Sequence, residues 1–525
     1  MASFSNALSG RLLFLFATIA SVPAAIYMGR LAGQGNTGQV GLLLGAMFGM
    51  LILLAMGDKV WWVVPFTFAL GLPPIPFGGR ELNMAEIGTV GASAFFIARM
   101  LMHKQKVVLH RWENVSVFLY FAWVAMIYCM NPVGFSSMGA GEGGGRAYLA
   151  LIIAFLSFLI ISQQVISESE AKVIIAFMII GAFISLAWNF ALYNVFGGPL
   201  GSRLQGAALD EGEYTWHQSL AGPAFVTMTF LFSRYRVKEV FSFQHPLLPL
   251  VIVFCIIVGF LSGKRAVFTG MIFIPVLSAM IRKDWNVVWL GVIIVPLFLV
   301  VVAMGHNNLY VLPYAPQRAL SFVPGMQVDR TVLEDTTSEF RPALRAIAMD
   351  HIKDDPFFGR KGYKVDFKVI LDSVYGSLIH NYAFEYRDQD FLKHYAMIGS
   401  WHTTWLGIAA DFGIPAALIF FFFYMQMIGL GLWLLRQDHI KKSIPFRTLV
   451  MMITMTTIVA LARSWTSGHS TEVAKSLWWQ YGLLIALRYL PVASKRASGN
   501  RSENLVGVPG TRLEGQSVTG RSAVQ

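Results

Sequence analysis

Apolar stretches recur along almost the whole chain, each near the length that a bilayer crossing requires, and mostly short polar connections part them. In order they span residues 1–27, 40–56, 61–74, 87–102, 115–130, 148–161, 173–196, 219–232, 247–261, 267–281, 287–303, 413–435, 449–461 and 474–490. At about 20 residues per crossing, with several of the runs short, this pattern predicts an all-α polytopic membrane protein of about 12–14 transmembrane helices. The first run follows Arg11 and is similar to a secretion signal, but the many spans behind it favour a retained first helix. The chain divides into an N-terminal transmembrane bundle (1–304), one large polar loop (305–400), a histidine-bearing segment with the C-terminal spans (401–490) and a Ser/Gly/Arg-rich tail (491–525) expected to be disordered.

Composition agrees with the pattern. Of 525 residues, 55% are hydrophobic and 13% charged, more apolar surface than a water-soluble domain can hide. The formal charge of +12 could point to nucleic acid, but its cations sit in short clusters between apolar runs, the way membrane orientation is encoded. No nucleic-acid partner is expected. Cys129 and Cys255 both lie inside apolar runs, which excludes a disulfide framework or a cysteine metal cluster; they read as small hydrophobes.

With fourteen spans, five basic clusters fall on one side together with both termini. They lie around Lys104–Arg111, Arg234–Lys238, Arg282–Lys283 and Arg436–Arg447, and in the tail from Lys495. By the positive-inside rule that side is cytoplasmic. The loop 305–400 then lies outside, with the connections 131–146, 197–216, 262–264 and 463–471. That side is poor in Lys and Arg, so each cation on it calls for an account.

Within the loop, residues 341–352 read as an amphipathic helix opened by Pro342, with Leu344, Ile347, Ala348 and Ile352 on one stripe. Asp355-Pro-Phe-Phe-Gly359 ends it in a turn. Arg341 and Arg345, four apart, share a face; that suits a phosphate or pyrophosphate, and equally a solvated face paired with Asp350 or Asp354. Arg265, after the turn Ser262-Gly-Lys264, opens a span, where a charge is costly unless paired or functional. Arg203 lies on the outer loop ahead of His217, where an arginine in water is the simpler reading. Outer-loop histidines such as His380 are individually weak candidates. His402 differs, because the helix expected from Thr403 leads into Gly413-Ile-Pro415 at the head of a span and holds the imidazole at headgroup depth, placed to act as a general base. There is no G-x-x-x-x-G-K-[ST], H-E-x-x-H or G-x-S-x-G motif. No cofactor and no metal site are expected.

These residues resemble the O-antigen ligase and polymerase superfamily of bacterial envelope glycan synthesis. The match runs through Ser262-Gly-Lys-Arg265, Arg341 fifteen residues before Pro356, Phe357-Phe358-Gly359-Arg-Lys-Gly362, His402-Thr-Thr-Trp-Leu406 and Asp411-Phe-Gly413-Ile-Pro415. The chain departs from the family pattern in having Thr403 in place of the usual Asn, and in Arg360-Lys361, which adds charge and one residue between two glycines.

The resemblance implies a metal-independent, inverting glycosyltransferase of the bacterial inner membrane, with a periplasmic loop and cytoplasmic termini. The donor would be an undecaprenyl-pyrophosphate-linked glycan. The acceptor would be a sugar hydroxyl on a lipid-linked repeat unit (an exopolysaccharide or O-antigen polymerase) or on lipid A core or protein (a ligase). A chain-length regulator is a further expected partner. His402 is then the base and Arg265 and Arg341 hold pyrophosphate, with Arg345 and Arg203 second in rank. His380, His217 and Asp411 are candidate donor or acceptor contacts. A transporter of lipid-linked glycan is the competing class; it predicts repeat symmetry and charges buried at mid-membrane, and little of either is seen.

Overall fold

The computed structural model describes residues 49, 51, 53, 55–71, 75–77, 80–82, 84–103, 112–132, 145–194, 219–242, 244–321, 323–329, 340–363, 403–465 and 472–490. The first apolar run and the tail 491–525 lie outside them. A 3-10 turn, Gly57–Trp62, leads into α1 (Val63–Leu70), and a two-stranded hairpin, Ile75–Phe77 with Arg80–Leu82, follows. Then come α2 (Met84–His103), α3 (Val115–Met130), α4 (Gly145–Ser162), α5 (Glu168–Asn194), α6 (Ala221–Arg234) and α7 (Leu247–Leu261). The rest are α8 (Arg265–Ile281), α9 (Trp285–Asn308), α10 (Tyr314–Leu320), α11 (Phe340–Asp354), α12 (Thr404–Leu434), α13 (Ile444–Arg463) and α14 (Glu472–Arg488).

Every expected apolar run among the described residues from 61 onward forms a helix. Their lengths differ from the expected count. Six helices among the described residues are long and apolar enough to cross a membrane, namely α2, α3, α5, α9, α12 and α13, with three shorter apolar ones in α4, α7 and α8. This is a multi-pass membrane protein. The run 61–74 gives only the eight residues of α1, which stops at Gly71 in the left-handed region (φ 51°). Such a helix spans about 12 Å, too little to cross alone. The hairpin was not expected.

Two apolar clusters share α13. Leu449, Val450, Met452 and Ile453 face one built from α3, α4, α12 and α14, where Trp478 stacks on Phe423 with ring centroids 4.2 Å apart. Met451 and Met455 face the other, built from α6, α7 and α8. A helix apolar all round is a buried helix, and α13 is the centre of the bundle. Buried Glu113, just ahead of α3, is stapled to the C-terminal helix. Arg488 Nη1 lies 2.6 Å from its carboxylate, Tyr489 Oη donates to the carboxylate at 3.0 Å, and Tyr481 Oη donates to its backbone carbonyl at 2.8 Å. A carboxylate out of water needs this degree of pairing.

Candidate functional site

The site is organised by a break in α12. Its 31 residues run about 46 Å, well beyond the roughly 30 Å of a bilayer core. Gly413 interrupts it with φ 84°, ψ 166°, and Pro415 lacks an N–H two residues later. What remains is a short arm, 404–412, at the head of a segment, 414–434, that matches one crossing.

A break strands backbone groups, and inside a membrane protein each must find a partner. The carbonyl of residue 410 loses its helical donor because Ile414 N turns to Pro356, and that of 411 because residue 415 is a proline. These two carbonyls, and that of 412 at the break, take donors from outside the helix. Arg360 N donates to Ala410 O at 2.7 Å, Gly362 N to Asp411 O at 2.7 Å, and Trp123 Nε1 to Phe412 O at 2.8 Å. In the other direction, Ile414 N donates to Pro356 O at 2.9 Å. The turn 355–362 that follows α11 is therefore the complement of the break.

The approach is close enough to require glycine on both sides. A Cβ on Gly413 would sit 1.9 Å from Phe357 O, and one on Gly359 (φ 59°) 2.4 Å from Ala410 O. Both φ values also belong to the region that glycine alone adopts at no steric cost. Phe358 stacks on Trp123 at 5.9 Å, and Tyr363 meets Phe412 edge-on at 5.0 Å. Beneath the turn, Arg360 Nε and Asp411 Oδ1 form an ion pair at 2.7 Å, with side chains 5% and 0% exposed. Asp411, expected as a contact to substrate, is buried and pairs with the inserted Arg360. The charge that set this chain apart from the family pattern thus has a buried partner.

The turn fixes α11 in turn. α11 covers 340–354, begins with Pro342 in its first turn and packs on α12. Leu344, Ile347 and Ala348 are buried, as the stripe predicted. Each fully buried Leu or Ile contributes roughly 1.5–3 kcal/mol to that docking. Arg345 is exposed on the other face, and the helix places position 341 one turn before it. Asp350, one of the two expected partners of that face, forms its ion pair with Lys353 at 3.3 Å, and among the described residues Arg345 forms none. His351 is held below its usual pKa by burial first and by the nearby Arg360 guanidinium second.

At the start of α12, Thr403 caps in extended backbone (φ −147°), and Thr404 N donates to Ser464 O at 3.0 Å, just beyond the end of α13. Trp405 and Trp465 pack together with ring centroids 6.0 Å apart. The backbone directly after His402 is thus anchored to the end of α13 that carries Arg463. Arg265, half-buried, is the first residue of α8. Five residues on, Gly270 lies against Val459, four before Arg463, a Cβ there coming within 3.0 Å. α8 and α13 therefore run so that Arg265, Arg463 and Thr403 share one end of the bundle. Arg463 was not among the sequence candidates. The signal for it was present, as a cation closing a span on the side otherwise poor in Lys and Arg.

His402, Arg203, His217 and His380 lie outside the described residues, and of Arg341 only the backbone is described. Among the described residues no group of His, Cys, Asp and Glu is arranged to hold a metal ion.

Comparison with known families gives one finding that fits this geometry. Residues 250–421 match the model of a family described as O-Antigen ligase. The matched third of the chain, roughly, opens in α7 and closes within α12, so it contains Arg265, α11, the turn and the helix break. A search of curated proteins finds no match. Over that stretch the chain is similar to the O-antigen ligase family, in line with the resemblance drawn from its motifs.

Proposed function

From that similarity we propose that the protein is a glycosyltransferase that extends or transfers an undecaprenyl-pyrophosphate-linked glycan at the periplasmic face of the inner membrane, acting as a polymerase. The observation that carries the reading is the clasp between the turn 355–362 and the broken helix α12. It locks the arginine-bearing α11 onto the arm whose first turn directly follows His402, while α13 ties that arm to the end where Arg265 begins α8. This arrangement supports a reading in which cations and an imidazole from three separate stretches of sequence act together at one end of the bundle.

In this mechanism His402 takes the proton of the acceptor hydroxyl as its oxygen attacks the anomeric carbon of the donor sugar. The bond from that carbon to the pyrophosphate oxygen breaks on the opposite face, the leaving pyrophosphate keeps the electron pair, and the configuration inverts. Arg265 and Arg341, aided by Arg345, offset the charge that gathers on the leaving group. Asp411 and Arg360 act by positioning the arm and do not touch substrate. Arg463 stands at the same end and is a further candidate cation. No step calls for a metal.

The polymerase reading follows from a loop large enough for two lipid-linked substrates. The family description favours a ligase as the second reading. Glycan profiling of cells carrying His402→Ala, with membrane insertion verified, separates them. Loss of long glycan with single repeats left on the acceptor supports a polymerase. Accumulation of long lipid-linked chains supports a ligase. Unchanged glycan with normal insertion removes His402 from the reaction and favours transport.

A further inference from the structure

The opposite end of α13, about 30 Å from Arg463 by helix rise, borders a second feature. A cavity of about 610 Å³ opens between α5, α6 and α13. Its rim holds Lys172, Arg234 and Lys442 against a single carboxylate, Glu168. Among the described residues none of the three cations has an ion pair; Arg234 only packs over the Tyr235 ring at 5.8 Å. Below the rim the wall turns apolar within one or two helical turns, through Ile175 and Ile179 of α5 and Phe230 of α6. Thr448 also lines it, only 2% exposed, and its hydroxyl has no hydrogen-bond partner among the described residues. The other hydroxyls of α13 at Thr454, Thr456 and Thr457 all donate to the carbonyl four residues back.

A cationic rim over an apolar slot, with a spare donor in its wall, is complementary to one kind of molecule: an anionic headgroup attached to a hydrocarbon chain. Water-soluble phosphates satisfy the rim but leave the slot unfilled, and neutral lipids do the reverse. We propose that this cavity binds an anionic phospholipid, its phosphate held by Lys172, Arg234 and Lys442 and one acyl chain lying along Ile175, Ile179 and Phe230. The lipid joins α5 and α6 to the central helix α13 at the end remote from the transfer chemistry. With the chemistry at the periplasmic end, the site faces the cytoplasmic leaflet. Arg282 lies close by, its Nη2 donating to the backbone carbonyls of Phe232 and Ser233 beside Arg234.

The test uses the full chain in nanodiscs of phosphatidylcholine alone or phosphatidylcholine with phosphatidylglycerol, read by native mass spectrometry of retained lipid and by thermal unfolding. Wild type is expected to retain phosphatidylglycerol selectively and to gain thermal stability from it. Each cation at a membrane surface accounts for roughly fivefold in affinity, so K172Q/R234Q/K442Q should bind it about 100-fold more weakly. Its unfolding temperature in phosphatidylcholine alone should equal that of wild type. If the triple variant is unstable there, K172Q alone replaces it, with a loss of about fivefold expected. Equal retention of the two lipids by wild type, or undiminished retention by the variants, overturns the proposal. So does equal stabilisation by inorganic phosphate in detergent, which assigns the rim to a soluble anion.

Discussion

At Gly413 a single hydrogen atom decides whether the site can assemble. The left-handed backbone there brings the carbonyl of Phe357 to where a Cβ would stand, 1.9 Å away. Gly413→Ala is therefore expected to lose the clasp, with a cost above the roughly 1 kcal/mol of an ordinary glycine replacement, seen as a lower unfolding temperature and loss of transfer activity. Arg360 and Asp411 give a second prediction. Breaking a buried pair leaves one charge uncompensated, so Arg360→Met alone should cost about 3–5 kcal/mol. Arg360→Met with Asp411→Leu should recover most of that loss, measured by thermal or denaturant unfolding in detergent. If the single variant is as stable as wild type, the pair does not hold the turn. The pairing was not legible in the sequence, where Arg360 read as added loop charge and Asp411 as a polar group near substrate. What joins them is the register of a turn against a helix break fifty residues later, and no local pattern encodes that register.

Elements were more legible than their junctions. An apolar run of sufficient length has few alternatives to a helix in a membrane, and the predicted runs became α2 to α9 and α12 to α14. α11 was legible for a different reason: the spacing of Leu344, Ile347 and Ala348 marks a face, Pro342 marks a start and Asp355-Pro356 marks a stop. The hairpin at 75–82 gave no signal, since its strands have three residues each and no alternation to detect. The short arm of α12 was legible as a helix from Thr403 leading into the span, but the break at Gly413 between them was not. α11 also carries a pH-dependent prediction. Burial and Arg360 keep the folded His351 pKa below its ordinary 6.5. As pH falls below 6.5 the unfolded chain takes up a proton that the folded chain refuses, so stability is full above that value and declines toward the folded pKa. His351→Gln should flatten the stability profile between pH 7 and 5; an unchanged slope would remove His351 as its source.

On the scale of the whole molecule, α13 relates two ends with different tasks. One end gathers Arg265, Arg463 and the entry to α12; the other carries the basic cavity. The orientation assigned from the Lys and Arg clusters makes a direct prediction. In a variant lacking Cys129 and Cys255, a cysteine at Lys441 should react with an impermeant thiol reagent only from the cytoplasmic side, and one at Ser467 only from the periplasmic side. Reaction from the reverse sides would invert the whole account, including the leaflet of the lipid site.

The central claim is that His402 removes the acceptor proton in a transfer from lipid-linked pyrophosphate. Its most direct test is the rate of single-turnover transfer by purified protein in liposomes supplied with undecaprenyl-pyrophosphate-linked glycan and acceptor. His402→Ala should lower that rate by about 10²–10⁴-fold while donor binding and unfolding temperature stay at wild-type values. Transfer at the wild-type rate by a folded, donor-binding His402→Ala protein would contradict the account and place the base elsewhere.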